Sequence, residues 1–184
     1  QLLMQTVAYD SFEPFLESYL AAFRIVMDRT DHAGLGVVQR LGLRYIDQVR
    51  KQSEDDDIDS YLRPGLRGMG AERFLDPTKR YAIATVGQTA LRSGEKGSLS
   101  IRVTRDNDGN DLPPDVIQLA PPRKRAICPG EDLALIDMDH SWSGTMPPPL
   151  DEGKIEALFF ELHDVIIEML HEAVVTEEGI QKWL

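Results

Sequence analysis

The chain has 184 residues, of which 42% are apolar and 28% are charged, and its formal net charge is −11. This length and composition are typical of a globular domain and exclude disorder of the whole chain. The negative charge disfavours a nucleic-acid-binding protein, which needs Lys and Arg side chains to neutralise phosphates.

Cysteine content and hydropathy limit the compartment and the chemistry. Cys128 is the only cysteine, so no intramolecular disulfide and no thiolate zinc site can form. No apolar run approaches the about 20 residues that a membrane-spanning helix needs. We therefore predict a cytoplasmic protein. Because the sequence starts at Gln1 inside an apolar stretch without a signal peptide, we expect residues 1–184 to be the C-terminal part of a longer chain.

The first quarter of the chain predicts a strand followed by a helix. The apolar run from Leu2 to Tyr9 predicts the strand, and Asp10 with Glu13 has the spacing of a helix capping box. Aromatic and aliphatic residues then recur at helical spacing between Phe12 and Met27. This pattern indicates an amphipathic helix that packs on a core.

The segment from Val37 to Val49 predicts a long strand, because its two alternating sets of residues differ in polarity. One set is mostly apolar and includes Leu41 and Leu43, whereas the other contains Arg40 and Arg44. Such alternation is typical of a sheet with one buried face.

The second half of the chain predicts a hairpin, a further strand and a long helix. Two β-rich runs, Tyr81 to Leu91 and Ser98 to Arg105, flank a short linker with two glycines, which is a hairpin signal. Asp132 to Ser141 predicts another strand. The stretch from about Asp151 to Val174 is apolar almost all round, so we expect a largely covered helix, and Thr176 is a cap for a final short helix.

The predicted element order is β-α-β-(α)-β-β-β-α, where the bracket stands for short helical turns between Tyr61 and Leu75. Strands joined as hairpins with helices between them predict an α+β fold. We expect a mostly antiparallel sheet with two main helices layered on one face, all in a single domain.

Five short motifs follow one another in a defined order. They are Tyr9–Phe15 (YDSFEPF), Arg40–Asp47 (RLGLRYID), Ile136–Asp139 (IDMD), Leu162-His163 and Val175-Thr176. Together they resemble the motifs of an uncharacterised, sporadically distributed bacterial protein family: R-x-G-L-R-Y-I-N, L-D-x-D and C-terminal L-H and I-T. The chain departs from the family pattern at Asp47, Ile136 and Val175, where the family has Asn, Leu and Ile. The resemblance implies a bacterial origin and further sequence before Gln1, but no activity.

Charged residues on two predicted strands form the candidate site. Asp137 and Asp139 are two residues apart on a strand, so their side chains share a face at a spacing of about 6.5–7 Å. Two such carboxylates can bind a divalent ion, with His140 as a further ligand. If the two strands are neighbours, Arg40 and Arg44 instead pair with the aspartates in a ladder of salt bridges. We favour the ladder, which can still serve as a polar binding surface.

Other motifs give weaker signals for metal binding. Thr104 to Asp115 partly matches a calcium loop, but position one is Thr, position twelve is Asp and the flanks are not helical. His163 and His171 are eight residues apart on the long helix, too far to bind one ion, and we expect them to be packing histidines. We therefore predict no metal, no cofactor and no catalytic residue.

The lack of a catalytic constellation favours a non-enzymatic protein-interaction module of the bacterial cytoplasm. The family's patchy distribution points to defence or toxin control. We expect a protein partner and leave a homo-oligomer open. The expected binding residues are Arg40, Arg44, Asp137, Asp139, His140 and Trp142, and Trp142, Met146 and Trp183 are expected to be exposed. The alternatives are a metal-assisted hydrolase that uses Asp137, Asp139 and His140, and a small-ligand binder with a pocket under the C-terminal helix.

Overall fold

One antiparallel sheet and two long helices form the described part of the chain. The structure is a computed structural model. It describes residues 2–6, 9–29, 36–51, 53, 55–67, 85–93, 97–105, 133–147 and 150–183, with only the backbone at 85–93, 105 and 183. The elements are α1 (Phe12–Arg29), β1 (Val38–Arg50), α2 (Ile58–Tyr61), a 3-10 turn (Pro64–Leu66), β2 (Thr85–Ser93), β3 (Gly97–Arg105), β4 (Leu133–Met146), α3 (Glu152–Met169), a π-helical turn (Leu170–Val174) and α4 (Glu177–Trp183). The α+β class predicted from the sequence is confirmed.

The strand order in the sheet is β1-β4-β3-β2, and every neighbouring pair is antiparallel. β2 and β3 form the predicted hairpin, with Ser93 opposite Gly97. β4 lies inside the sheet between β1 and β3, and its first six residues, Leu133 to Met138, are all buried. A run that is buried throughout and apolar at five of its six positions is typical of a strand with neighbours on both sides.

Both long helices lie on one face of the sheet. α3 packs over β1 and β4, and α1 packs against α3. The helices contribute one buried stripe each, and burial of each large side chain stabilises the fold by about 1.5–3 kcal/mol. The stripes consist of Phe12, Leu16 and Leu20 in α1 and of Ile155, Phe159, Leu162 and Ile166 in α3. The helix is therefore covered along one stripe and not almost all round as predicted, and Phe160 is exposed.

The predicted first strand, Leu2 to Tyr9, is wrong for its described residues. Residues 2–6 and Tyr9 have no regular secondary structure. Tyr9 instead packs edge-on against the rings of Phe15 and Tyr45. A short apolar run without alternation does not specify a ladder partner, and Leu3 and Tyr9 of this segment are exposed.

The C-terminal end of the chain is fixed to the segment around α2. The hydroxyl of Thr176 accepts a hydrogen bond from the Gly179 amide at 3.1 Å and donates one to the Ser60 carbonyl at 2.7 Å. The Thr176 amide donates to the Tyr61 carbonyl at 2.9 Å. A Cβ atom on Gly179 would lie 3.0 Å from that carbonyl oxygen, so a glycine allows this close approach. The predicted capping role of Thr176 is confirmed.

A cation completes this C-terminal contact. The ammonium group of Lys182 lies 2.9 Å from a carboxylate oxygen of Asp56 and 3.0 Å from the hydroxyl of Tyr61. These two hydrogen bonds hold the pKa of Lys182 above its ordinary value.

In the described ranges, no helix is long and apolar enough to cross a membrane.

Substitution of Thr176 tests the C-terminal contact. Thr176→Val keeps the shape of the side chain but removes the hydroxyl, so both hydrogen bonds are lost. We expect the free energy of unfolding to fall by about 1 kcal/mol, as for the loss of other helix caps, when measured by urea denaturation. Thr145→Val, at an exposed position of β4, is the matched control and should change it by less than about 0.5 kcal/mol. Equal effects of the two variants would show that the cap contributes nothing.

Candidate functional site

The pairing of β1 with β4 brings the four predicted charged residues onto one side of the sheet. In this register Arg44 lies opposite Asp139, and Gly42 lies opposite Ser141. Directly opposite residues of antiparallel strands share a face. Arg40, Arg44, Asp137 and Asp139 therefore all point away from α1 and α3. The salt-bridge ladder predicted from the sequence is present.

The inner pair of the ladder is tight and mostly shielded from water. The Nε and Nη2 atoms of Arg44 donate to the two carboxylate oxygens of Asp137 at 2.7 and 2.8 Å. The side chains of Arg44 and Asp137 are 27% and 9% exposed. A bidentate pair of this geometry fixes the orientation of both groups. Arg44 is thus held in place on β1.

The outer pair is loose and faces water. Nη2 of Arg40 lies 3.9 Å from a carboxylate oxygen of Asp139, and the two side chains are 64% and 40% exposed. Exposed pairs of this kind contribute between about 0 and 1 kcal/mol. Arg40 and Asp139 can therefore each leave this pair and bind another charged group at little cost in free energy.

Hydroxyl groups and a third arginine surround the ladder. In β3, Ser98 lies opposite Ser141, Ser100 opposite Asp139 and Arg102 opposite Asp137. At the other end of β4 the same side carries Leu133 and Leu135, which are buried. The polar part of this side is called the polar face. It consists of Arg40, Gly42, Arg44, Ser98, Ser100, Arg102, Asp137, Asp139, Ser141 and Ser143.

His140 lies on the opposite side of the sheet, within the core. It is 1% exposed, and its Nδ1 atom donates to the Leu162 carbonyl of α3 at 2.9 Å. The Nε2 atom is buried and has no hydrogen-bond partner among the described residues. His140 directly follows Asp139 in a strand, so the two side chains point to opposite faces. The predicted grouping of His140 with the aspartates therefore does not form.

Trp142 and Met146 share the helix-facing side with His140. Met146 is buried and Trp142 is half-buried, so the prediction that both are exposed is wrong. The Trp142 ring covers Gly144, where an added Cβ atom would lie only 2.4 Å from the ring. Glycine at this position is needed for the close approach of the ring. The side chain of Trp183 lies outside the described residues.

The described residues offer little for a metal ion. They contain no group of three or more His, Cys, Asp or Glu side chains that could hold one. Asp137, a ligand in the hydrolase hypothesis, is engaged by Arg44. Cys128 and most of the calcium-like segment, residues 106–115, lie outside the described residues.

A second polar cluster lies between the sheet and the helices, and the sequence did not indicate it. The hydroxyl of Tyr45 is hydrogen-bonded to the Tyr9 hydroxyl at 2.8 Å and to Nδ1 of His163 at 3.0 Å. The His163 ring stacks on Phe12 with a centroid distance of 4.0 Å. His163 is thus the packing histidine that was expected, whereas His171 is exposed. The available signal in the sequence was that Tyr45 and His163, whose side chains end in a polar group, lie on otherwise apolar faces.

Burial changes the protonation of this cluster. It raises the pKa of Tyr45 above its ordinary value and lowers the pKa of His163, although the nearby carboxylates Asp164 and Glu13 act in the opposite direction on His163. Both groups are therefore neutral at pH 7. Burial also raises the pKa of Asp47, which lies two residues after Tyr45 and therefore on the same side of β1.

An open groove of about 290 Å³ lies where α1 ends and α3 begins. At its edge Arg24 and Glu152 form a bidentate ion pair between the two helices. This position is beside the first turn of α3, whereas the small-ligand alternative expects a pocket beneath the helix. The groove is lined by Phe23, Arg24, Met27, Asp28, Leu150 and Glu152.

The two salt bridges should differ in their contribution to stability. Asp137→Asn removes the carboxylate that forms the bidentate pair with the mostly buried guanidinium of Arg44, so we expect the free energy of unfolding to fall by about 2 kcal/mol. Asp139→Asn removes only the exposed pair and should cost less than about 1 kcal/mol. Guanidinium chloride screens ion pairs, so urea denaturation is the suitable measurement. A larger loss for Asp139→Asn than for Asp137→Asn would contradict the geometry.

The pKa shift of His163 predicts a pH dependence. Its pKa is 6.5 in the unfolded chain and lower in the folded protein, so the unfolded state binds the proton first as the pH falls. The contribution of this group is present above pH 6.5 and is lost as the pH falls through 6.5 towards the folded pKa. His163→Gln should flatten the stability profile in this window. The same loss of stability in wild type and variant would assign the effect to other groups. Asp47 does not account for such a loss, because its pKa is raised and its effect on stability as the pH falls therefore has the opposite sign.

Comparison with known proteins adds no relative. Neither a family model, nor a curated protein, nor a solved structure matches the chain. The resemblance to the bacterial family described above stays a prediction.

Proposed function

We propose that the chain is a non-enzymatic protein-interaction module that binds a protein partner through the polar face. The observation that carries the proposal is the Arg–Asp ladder: one pair holds Arg44 rigidly, and beside it Arg40 and Asp139 are exposed and loosely paired. A surface with fixed and exchangeable charges side by side can select a partner by electrostatic complementarity.

The chemistry of the polar face favours recognition over catalysis. Its described side chains are arginines, aspartates and serines, and the one histidine near it in sequence, His140, faces the core. No imidazole of the described residues therefore stands beside the serine hydroxyls. Arginine is enriched in protein–protein interfaces because its planar group forms several directed hydrogen bonds.

The setting of this function belongs to the same proposal. The bacterial origin and the link to defence or toxin control rest on the sequence resemblance alone, whereas the cytoplasmic location rests on the cysteine content. The hydrolase alternative requires a third ligand beside Asp137 and Asp139, and His140 points away from both. The small-ligand alternative requires a pocket beneath α3, and the groove described above lies elsewhere.

Charge reversal on the polar face tests the proposed function. The wild-type chain, Arg40→Glu and Arg29→Glu are immobilised and exposed to a lysate of the source organism, and bound proteins are identified by mass spectrometry. Arg29 is an exposed arginine of α1, so its variant carries the same charge change away from the face. We expect a protein that wild type and Arg29→Glu retain and that Arg40→Glu loses.

The captured protein is then purified and its Kd is measured by calorimetry. We expect Arg40→Glu to weaken binding at least tenfold, because a carboxylate replaces an exposed cation, while Arg29→Glu leaves the Kd unchanged. Circular dichroism confirms that both variants fold. If every captured protein binds the three chains equally, the polar face is not the binding surface and the proposal is wrong.

A further inference from the structure

We infer that the partner presents an extended, acidic peptide segment to the polar face. This inference rests on the proposed function and specifies the chemistry of its partner. It is carried by the charge of the face, by the weak pairing of Arg40, and by the arrangement of the serine hydroxyls.

The polar face has the opposite charge to the protein as a whole. Three guanidinium groups (Arg40, Arg44 and Arg102) stand against two carboxylates (Asp137 and Asp139), so the described face is positive in a chain with a net charge of −11. A positive patch in an otherwise negative surface attracts a short negative segment locally.

The guanidinium of Arg40 is available for exchange. Its contact with Asp139 is long at 3.9 Å, and its side chain is 64% exposed. A partner carboxylate can form a bidentate pair with this group, which is stronger than the present contact. Arg102 of β3 is also exposed and lies on the same face, opposite Asp137. These two arginines are the proposed anchors for acidic side chains.

Two rows of residues lie between the two anchors: Gly42, Ser141 and Ser98, which form a low row rich in donors, and then Arg44, Asp139 and Ser100. Gly42, Ser141 and Ser98 lie in one row across β1, β4 and β3, so small side chains let a peptide backbone approach the sheet. Hydroxyl groups there can donate to carbonyl or carboxylate oxygens. A chain that crosses from Arg40 to Arg102 passes over this row.

The spacing of the anchors sets the length of the segment. Six residues along β1 separate Arg40 from Ile46, the residue in the same row as Asp137 and Arg102. This corresponds to about 20 Å along the strands and about 10 Å across two strand intervals. An extended peptide spans that distance with about six or seven residues. The expected ligand therefore has acidic side chains near both ends of a stretch of this length.

A nucleic acid is a poorer match than a short peptide. The net charge of −11 repels a long polyanion along most of its length, and the described face holds too few cations to offset this repulsion through counterion release. A segment of a few residues interacts with the patch alone.

Selection from a library of random octapeptides displayed on phage tests the inference with the intact chain as bait. Enriched peptides are synthesised with a fluorescent label, and their affinities are measured by fluorescence polarisation for wild type, Arg40→Glu, Arg102→Glu and the control Arg29→Glu. We expect the peptides to be enriched in Asp and Glu, and their binding to weaken at least tenfold in the first two variants but not in the control. Replacement of their acidic residues by Gln or Asn should weaken binding by a similar factor.

The other outcomes separate the two proposals. Neutral or basic peptides whose binding depends on Arg40 would overturn the acidic ligand but leave the polar face as an interaction surface. Tighter Arg40-dependent binding of an eight-nucleotide single strand than of any selected peptide would also overturn it. If no peptide is enriched, or if binding ignores both Arg40 and Arg102, the inference is wrong, whereas the proposed function is decided separately by the lysate capture with Arg40→Glu and Arg29→Glu.

Discussion

The bidentate pair of Arg44 and Asp137 fixes the relation of β1 to β4, and with it the division of the sheet into two chemically different sides. Because side chains alternate along a strand, one register determines the position of every residue on both strands. With Arg44 opposite Asp139, the charged residues share one side, and Leu43 with His140 share the other. A slip of one residue would place the guanidinium of Arg44 against the helices and Leu43 in water.

The helix-facing side is held by contacts that depend on the same register. His140 reaches the carbonyl of Leu162 in α3, and Tyr45 of β1 reaches His163 one residue later. Two polar groups of the sheet thus bond to neighbouring residues of one helix. Directed hydrogen bonds of this type fix the position of a helix more closely than apolar contact alone. The polar face is therefore presented by a sheet whose other side is firmly packed.

Alternation and periodicity predicted the parts of the fold that depend on local sequence. Arg40 and Arg44 alternate with Leu41 and Leu43, and this pattern was enough to predict β1 and its faces. The salt-bridge ladder was predicted only on the condition that the strand of Asp137 and Asp139 is a neighbour of β1. The apolar run at Leu2 to Tyr9 does not alternate, and there the predicted strand is absent from the described residues. The local sequence pattern therefore predicts an element correctly where its buried and exposed faces differ in polarity.

Contacts between distant residues could not be predicted in the same way. Tyr45 and His163 are 118 residues apart, and nothing in either segment identifies the other as its hydrogen-bond partner. His140 was grouped with Asp139 because the two are adjacent in sequence, although alternation in a strand separates neighbours.

The function proposed for this chain follows from that separation of faces. One side is occupied by the core and by the cluster around His163, so the polar face is where the described charged residues of the sheet meet solvent. Its tight inner pair and loose outer pair give it both a fixed geometry and an exchangeable charge. These are the properties that a surface for charge-selective recognition requires.

A double-mutant cycle on Arg44 and Asp137 measures the central interaction directly. The free energies of unfolding of Arg44→Met, Asp137→Leu and the double variant are compared with that of the wild type. The structure predicts a coupling energy of about 1–3 kcal/mol, as for other residues in direct contact, and a much smaller one for the same cycle on Arg40 and Asp139. If the effects of Arg44→Met and Asp137→Leu add with no coupling, the two side chains are not paired and the assignment of residues to the polar face is wrong.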